Sequence, residues 1–238
     1  MTTNQITIAM SALGIIGVIA FCPVVPKVIR RAVPPEREIR LSAPAIILAT
    51  LIQTSLIVIA CAALGARIGP SLGLRSLLFG AGAEPAGLAR SLTWAIVAGV
   101  IAGSVGGAIA VPFAKPLVAY LREIPMIARL LYGGFTEEVI IRWGFMTGIV
   151  WLLTKAFPGA PPPAYLLWLG ILLTNVIFAA GHIPIMRALK TSNVAVAATM
   201  IFVVSLPWGW LFWTFGIESA IAAHMAFHIV VEASSRRG

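Results

Sequence analysis

Glu137 and Glu138 stand side by side in the stretch GGFTEEVIIRWGFM (residues 133–146), with Arg142 one helical turn further on. The chain holds only eight acidic residues, all of them Glu, and three histidines, His182, His224 and His228. A carboxylate beside imidazoles can act as a general base on water, and imidazole N–H groups can steady a developing oxyanion. The same residue types are ordinary zinc ligands, which makes Glu137, His182, His224 and His228 candidates for a divalent metal such as Zn. The sequence contains no HExxH, so a zincin-type site is not indicated. Spacing separates the two glutamates. Glu138 and Arg142 are four apart, share a helix face and can pair. Glu137 lies about 100° around the helix from Glu138 and is free to point elsewhere. His224 and His228 are also four apart, as are Phe178 and His182.

The elements that must position these groups are membrane helices. The chain is 60% hydrophobic, with a mean hydropathy of +0.99 and only 11% charged residues. A soluble domain carries about a quarter of its residues as charges, so this chain cannot cover itself in water. Its net charge of +9 is dispersed in short clusters between apolar runs, the pattern of membrane loops; a nucleic-acid partner is rejected. Cys22 and Cys61 fall within apolar segments and read as small packing residues, with no disulfide framework. The first 25 residues lack a positive n-region and read as a retained transmembrane helix.

With about 20 apolar residues needed per crossing, the candidate spans are 5–25, 43–65, 91–112, 138–155, 164–182, 194–215 and a short 217–233. Pro207 predicts a kink or break in the sixth. Residues 115–134 mix charged and apolar side chains and suit an interfacial helix before the first span-borne charges. The expected fold is all-α, a polytopic transmembrane bundle of about seven or eight helices in one domain, 1–238. Residues 66–90 are expected as a Gly-rich loop and 158–163 as a stiff turn. With the N-terminus outside, twelve basic residues fall in the inner loops (Lys27, Arg30, Arg31, Arg37, Arg40, Lys115, Arg122, Arg129, Arg187, Lys190, Arg236, Arg237). Four fall outside: Arg67, Arg75, Arg90 and Lys155. Positive charge favours the cytoplasmic side, and this orientation follows. It puts Glu137, Glu138, His182 and the His224/His228 pair at similar depth toward the cytoplasm, from three distant spans. Titratable groups at membrane depth are costly and mark a functional cavity.

The three segments also carry a resemblance. EEVIIR (137–142) fits EExxxR, FAAGH (178–182) fits FxxxH, and HMAFH (224–228) fits HxxxN except at its last position. In this order they resemble the CAAX protease and bacteriocin-processing family of intramembrane endopeptidases, also called Abi, related to the type 2 CAAX prenyl proteases. The resemblance covers about residues 115–232, leaving 1–114 as N-terminal helices outside the expected catalytic core. It implies a glutamate-dependent intramembrane protease. By motif position, Glu137 would activate the hydrolytic water with help from His182, and Glu138 and Arg142 would form an orienting ion pair. His224 would join an oxyanion-stabilising pair. The second member of that pair is His228 where the family has Asn, which keeps a hydrogen-bond donor there and raises the metal alternative. No obligatory metal is expected.

Plainer readings stand beside these. Glu138 and Arg142 can pair simply to help helices associate, His182 can cap a helix end, and His224 and His228 can be interhelical hydrogen-bonding groups. Glu218 and Glu232 read as interfacial and structural. Gly99, Gly103 and Gly107 form a GxxxGxxxG ridge for close helix packing. Trp208, Trp210 and Trp213 suit an aromatic belt at the outer interface. Two other functional classes use the same cavity: a non-catalytic scaffold or immunity protein, and a proton-coupled transporter, against which the absence of an obvious inverted repeat argues. The expected partners are the lipid bilayer and a membrane-associated protein or peptide substrate. Abundant Arg, Ala and Gly suggest a GC-rich bacterium, hence an inner membrane with the active site toward the cytoplasm.

Overall fold

A computed structural model describes residues 1–33, 41–80, 85–113, 115–157 and 161–235. Among them the secondary structure is entirely helical. Helix α1 (Thr3–Phe21) starts on a capping box between Thr2 and Gln5, passes a tight turn at Cys22–Val24, and continues as α2 (Val25–Ala32). Helix α3 (Ala43–Ile68) is capped by Ser42. Then come α4 (Pro85–Phe113), α5 (Lys115–Glu123) and α6 (Met126–Leu131). Helix α6 runs without interruption through a π-helical stretch into α7 (Thr147–Ala156). Helix α8 (Ala164–Ala188) follows Pro163, and α9 (Val194–Phe215) is capped by Asn193. Gly216 alone joins α9 to α10 (Ile217–Ser235), taking φ +117°, a conformation open to glycine.

Among the described residues, six helical stretches are long and apolar enough to cross a membrane: Thr3–Arg31, Ala43–Leu72, Gly87–Ala108, Met126–Ala156, Ala164–Ala188 and Val194–Phe215. The protein is an integral membrane helix bundle. Helix α10, the seventh expected span, is not among the six; Glu218, His224, His228 and Glu232 lower its hydropathy. Exposed Ile8, Leu56, Ile101 and Leu152 lie on outer faces, where lipid is the natural solvent.

Several boundaries differ from the sequence reading. The fourth span starts at Met126, so only Lys115–Glu123 remains as the separate short helix before it. Pro125, which cannot donate a backbone hydrogen bond, marks the break. Arg129 consequently sits within a span, not in a loop. The loop expected at 66–90 shrinks to its middle, because α3 extends to Ile68 and α4 begins at Pro85. Helix α9 runs through Pro207 as one element, so the kink or break expected there is not a break. The turn at 158–163 lies partly outside the described residues, as do Arg37, Arg40, Arg236 and Arg237.

The glycine ridge does what its spacing suggests. Helix α4 makes the broadest helix contact in the bundle, with α10. A Cβ on Gly99 would lie 2.5 Å from the Ala223 carbonyl oxygen, and one on Gly103 would lie 2.7 Å from Val230. The close approach sets the helix that carries His224 and His228. At its start, Glu218 accepts hydrogen bonds from Leu77 N (2.8 Å), Leu78 N (2.9 Å) and the Ser76 hydroxyl. That carboxylate is structural, fastening the 73–80 loop to the positive end of α10. Cys22 and Cys61 are buried free thiols, and Cys61 packs against Gly144.

Candidate active site

The first motif sits in an unusual backbone. From Tyr132 to Glu137, and again from Val139 to Met146, the chain is π-helical. Such widened turns leave i→i+5 bonds and are frequent at functional sites. Gly133 and Gly134 let the wide turn press against α10. A Cβ on Gly133 would fall 2.7 Å from His228 Nε2 and 3.1 Å from His224 Nε2, and one on Gly134 would meet Met225 at 2.7 Å. The Thr136 hydroxyl donates to the Gly14 carbonyl at 2.7 Å and ties the same turn to α1.

Glu138 is fully buried. Its Oε1 accepts from Arg142 Nη1 at 3.2 Å and from His224 Nδ1 at 2.7 Å. An ionised carboxylate only accepts, so the proton of that second bond resides on Nδ1 of His224. Arg142, also buried, donates from Nη2 to Asn175 Oδ1 (3.0 Å) and to the Ser205 carbonyl (3.2 Å). Its guanidinium lies over the rings of Phe178 (4.9 Å) and Trp208 (5.3 Å). Asn175 is itself held, donating to the Ile171 carbonyl at 2.9 Å and accepting from the Ser205 hydroxyl. A guanidinium at membrane depth thus has one counter-charge, two neutral acceptors and two aromatic faces, which is how such a charge is tolerated there.

His224 is clamped face to face between Trp208 (centroids 4.1 Å apart, 15° between planes) and His228 (5.0 Å, 18°). His182 Nδ1 donates to the Phe178 carbonyl at 2.8 Å, which fixes its tautomer and leaves Nε2 as the acceptor nitrogen. Helix α8 continues past Pro184 to Ala188, so His182 does not cap a helix end. Glu137 differs from its neighbour. Its side chain keeps 22% of its surface exposed, and its Oε2 lies 3.8 Å from His224 Nε2. That is too long for a direct hydrogen bond but allows one water to contact both atoms.

Glu137, His182, His224 and His228 line one cavity of about 460 Å³, otherwise mostly apolar. This size is ordinary for a ligand pocket. Glu138 and Arg142 stand behind its wall and hold the groups that face it. The six residues singled out in the sequence are therefore brought into one assembly, from the π-helical span, α8 and α10. The metal alternative fits less well. Among the described residues, no three His, Cys, Asp or Glu side chains are arranged to hold a metal ion together. Nδ1 of His224 and Nδ1 of His182 are bonded to Glu138 and to the Phe178 carbonyl, which leaves Nε2 of each ring for the cavity.

Residues 120–230 match the type II CAAX prenyl endopeptidase, Rce1-like family. The match takes in all three motifs and bears out the resemblance they carry. It supports a CAAX-type membrane protease in general. Comparison with curated proteins and with solved structures gave no match. The Rce1-like segment begins at Tyr120 and so includes the end of α5 and the whole π-helical span.

Three partners were not anticipated. Asn175 and Ser205 complete the Arg142 shell, and Trp208 forms one wall of the His224 stack. Trp208 is 1% exposed, which removes it from the expected outer belt; Trp210 and Trp213 are half-buried against the core. A signal for them existed. Asn175, Phe178 and His182 recur at i, i+3 and i+7, and Ser205 and Trp208 at i and i+3, so each set marks one face of a helix.

Proposed function

We propose that the protein is an intramembrane endopeptidase that hydrolyses a peptide bond of a membrane-associated protein or peptide in a cytoplasm-facing cavity. The observation that carries this reading is the opposite fate of adjacent glutamates. Glu138 is committed to Arg142 and His224, while Glu137 faces the cavity 3.8 Å from His224 Nε2. Two carboxylates against one guanidinium leave the cluster one proton short of neutrality. In the reactive form we assign that proton, shared across the 3.8 Å Glu137–His224 contact, to His224 Nε2, which makes the nitrogen a donor steadied through Nδ1 by Glu138.

In the reaction, water held at Glu137 attacks the scissile carbonyl carbon, and Glu137 takes its proton as the new C–O bond forms. His182 Nε2, an acceptor, orients that water. The carbonyl oxygen becomes an oxyanion, which His224 Nε2–H stabilises together with His228. Collapse of the tetrahedral intermediate breaks the C–N bond, and Glu137 returns its proton to the leaving amine. No step uses a metal. The cytoplasmic orientation and a bacterial inner membrane rest on the excess of basic residues in one set of loops. Glu137→Gln keeps the shape and removes the base. In proteoliposomes it is expected to insert normally and to lose at least 10²-fold in cleavage of the physiological substrate. Wild-type turnover by that variant would refute Glu137 as the base.

A further inference from the structure

Helix α8 carries a gap on the face it turns to the cavity. Phe178, Gly181, His182 and Ile185 recur at i, i+3, i+4 and i+7, the spacing of one helix face, and all four line the cavity. Three of them fill their places with side chains. Gly181 is exposed, and a Cβ built on it would meet no atom of the described residues within 4 Å. Gly133 and Gly134, by contrast, are closed off by side chains of α10. Helix packing therefore accounts for those two glycines and not for Gly181, whose gap is open space beside His182, the next residue in the chain.

A second feature falls at the same place. Pro184 lies inside α8 and has no N–H, so the Ala180 carbonyl lacks the i+4 donor of a regular helix. None of the turn, loop and cap hydrogen bonds among the described residues replaces that donor. A helical carbonyl leaves the chain at the peptide joining its residue to the next and runs along the axis toward residue i+4. This one therefore starts between Ala180 and Gly181 and points toward Pro184. Gly181 and Pro184 both line the cavity. A bare glycine and an unpaired backbone acceptor thus share one notch, in a cavity whose wall is otherwise mainly apolar, with Ile185 from α8 and Val196 and Met200 from α9.

We infer that Gly181 is the specificity-determining residue of a subsite next to His182. The notch takes a bulky apolar side chain of a peptide residue flanking the scissile bond, and the Ala180 carbonyl accepts a backbone N–H from the same stretch of peptide. Any side chain at position 181 fills the notch and shifts selection toward small residues. This inference rests on the proteolytic reading and adds which side chain is selected beside the cut.

The test uses wild type, Gly181→Ala, Gly181→Leu and Pro184→Ala in proteoliposomes, with N-palmitoylated peptide libraries in which one position at a time is Gly, Ala, Leu or Phe. Cut sites are read by mass spectrometry, and binding is read separately with Glu137→Gln added to each protein. Gly181 has room around it, and Pro184→Ala restores a helical hydrogen bond, so these variants are expected to fold; unfolding followed by tryptophan fluorescence checks this. Wild type is expected to favour Leu or Phe at one position flanking the cut. Gly181→Leu should lower kcat/KM for those peptides at least tenfold, chiefly through KM, and leave peptides with Gly there within about threefold. Gly181→Ala should fall between. An ester in place of the amide that meets Ala180 removes the N–H; it should lower wild-type kcat/KM about threefold to tenfold and leave Pro184→Ala unchanged, because that helix already satisfies Ala180. An unchanged size profile in Gly181→Leu, or a uniform loss for all peptides, overturns the inference and leaves the protease intact. An equal ester effect in wild type and Pro184→Ala overturns the assignment to Ala180. Size-selective binding that Gly181→Leu abolishes, with no peptide cleaved, overturns the protease reading and supports the subsite.

Discussion

Neutralising Glu138 provides a sharp test of how the site is held together, and it needs no substrate. In Glu138→Gln the side chain keeps its shape and one acceptor oxygen, but Arg142 loses its counter-charge. At 3.2 Å and an effective dielectric of about 20, two unit charges attract by about 5 kcal/mol, before the cost of removing both from lipid headgroups or water is counted. Breaking a buried pair from one side typically costs about 3–5 kcal/mol. Asn175 Oδ1, the Ser205 carbonyl and two aromatic faces remain with Arg142, so a loss near the lower figure, about 3 kcal/mol, is expected for Glu138→Gln. Arg142→Met removes the other charge and leaves Glu138 with His224 alone. The double variant carries neither charge and should be less destabilised than the two singles combined, with a coupling of about 2 kcal/mol. Reversible unfolding in mixed micelles, followed by tryptophan fluorescence, measures all four corners of the cycle. Additive effects, with coupling under about 0.5 kcal/mol, would refute the assignment of Glu138 to Arg142 and with it the separation of roles between the glutamates.

Other outcomes follow from the same geometry. Gly133→Ala places a methyl group 2.7 Å from His228 Nε2 and should lower cleavage at least tenfold, whereas Gly148→Ala, outside the cavity and meeting only the end of the Leu64 side chain at 3.1 Å, should be nearly silent; a similar effect of both would remove the argument for Gly133. His228→Asn, which keeps a donor, should retain activity within a few-fold and leave it insensitive to chelators, while joint loss of activity and bound metal would assign metal ligation. Hydrogen bonds from Lys27 and Arg31 hold the exposed Glu123 carboxyl below its ordinary value. Its depressed folded-state pKa means the α5–α2 contact is intact at neutral pH, weakens only as pH falls below about 4.5, and fails at higher pH in Arg31→Gln. Hydrogen exchange across Lys115–Glu123 between pH 3 and 7 reads this directly, and pH-independent protection would refute it.

Much of the site was legible because its residues are expensive. Charged and titratable side chains are rare in this chain, so Glu137, Glu138, Arg142 and the three histidines stood out against lipid-compatible surroundings, and their spacing named the Glu138–Arg142 pair. The helical bundle followed from apolar run length, and close packing of α4 from the glycine ridge, though not that its partner is α10. What spacing could not convey was backbone register. A periodicity of 3.6 assumes an α-helix, and the π-helical stretch around Glu137 departs from it without a distinctive residue pattern. The start of the fourth span was misplaced for a related reason: Arg129 reads as a loop charge until Glu232, 103 positions away, is seen to neutralise it. Trp208 was assigned to an interface by residue type alone, and only the tertiary fold places its ring on His224.

The Glu138–Arg142 contact lies within one helix, and that has a consequence for biogenesis. Chains enter the bilayer from the N-terminus onward, and α8, α9 and α10, which contribute Asn175, Ser205 and His224, are made after the fourth span. A guanidinium dependent on those later helices would have to wait, uncompensated, at the translocon. Because Glu138 is four residues from Arg142, that pair enters the lipid already compensated, whereas Arg129, at the start of the same span, meets Glu232 only once α10 is made. The later helices then find a charge already quenched, and the site closes around a pair that travelled in together.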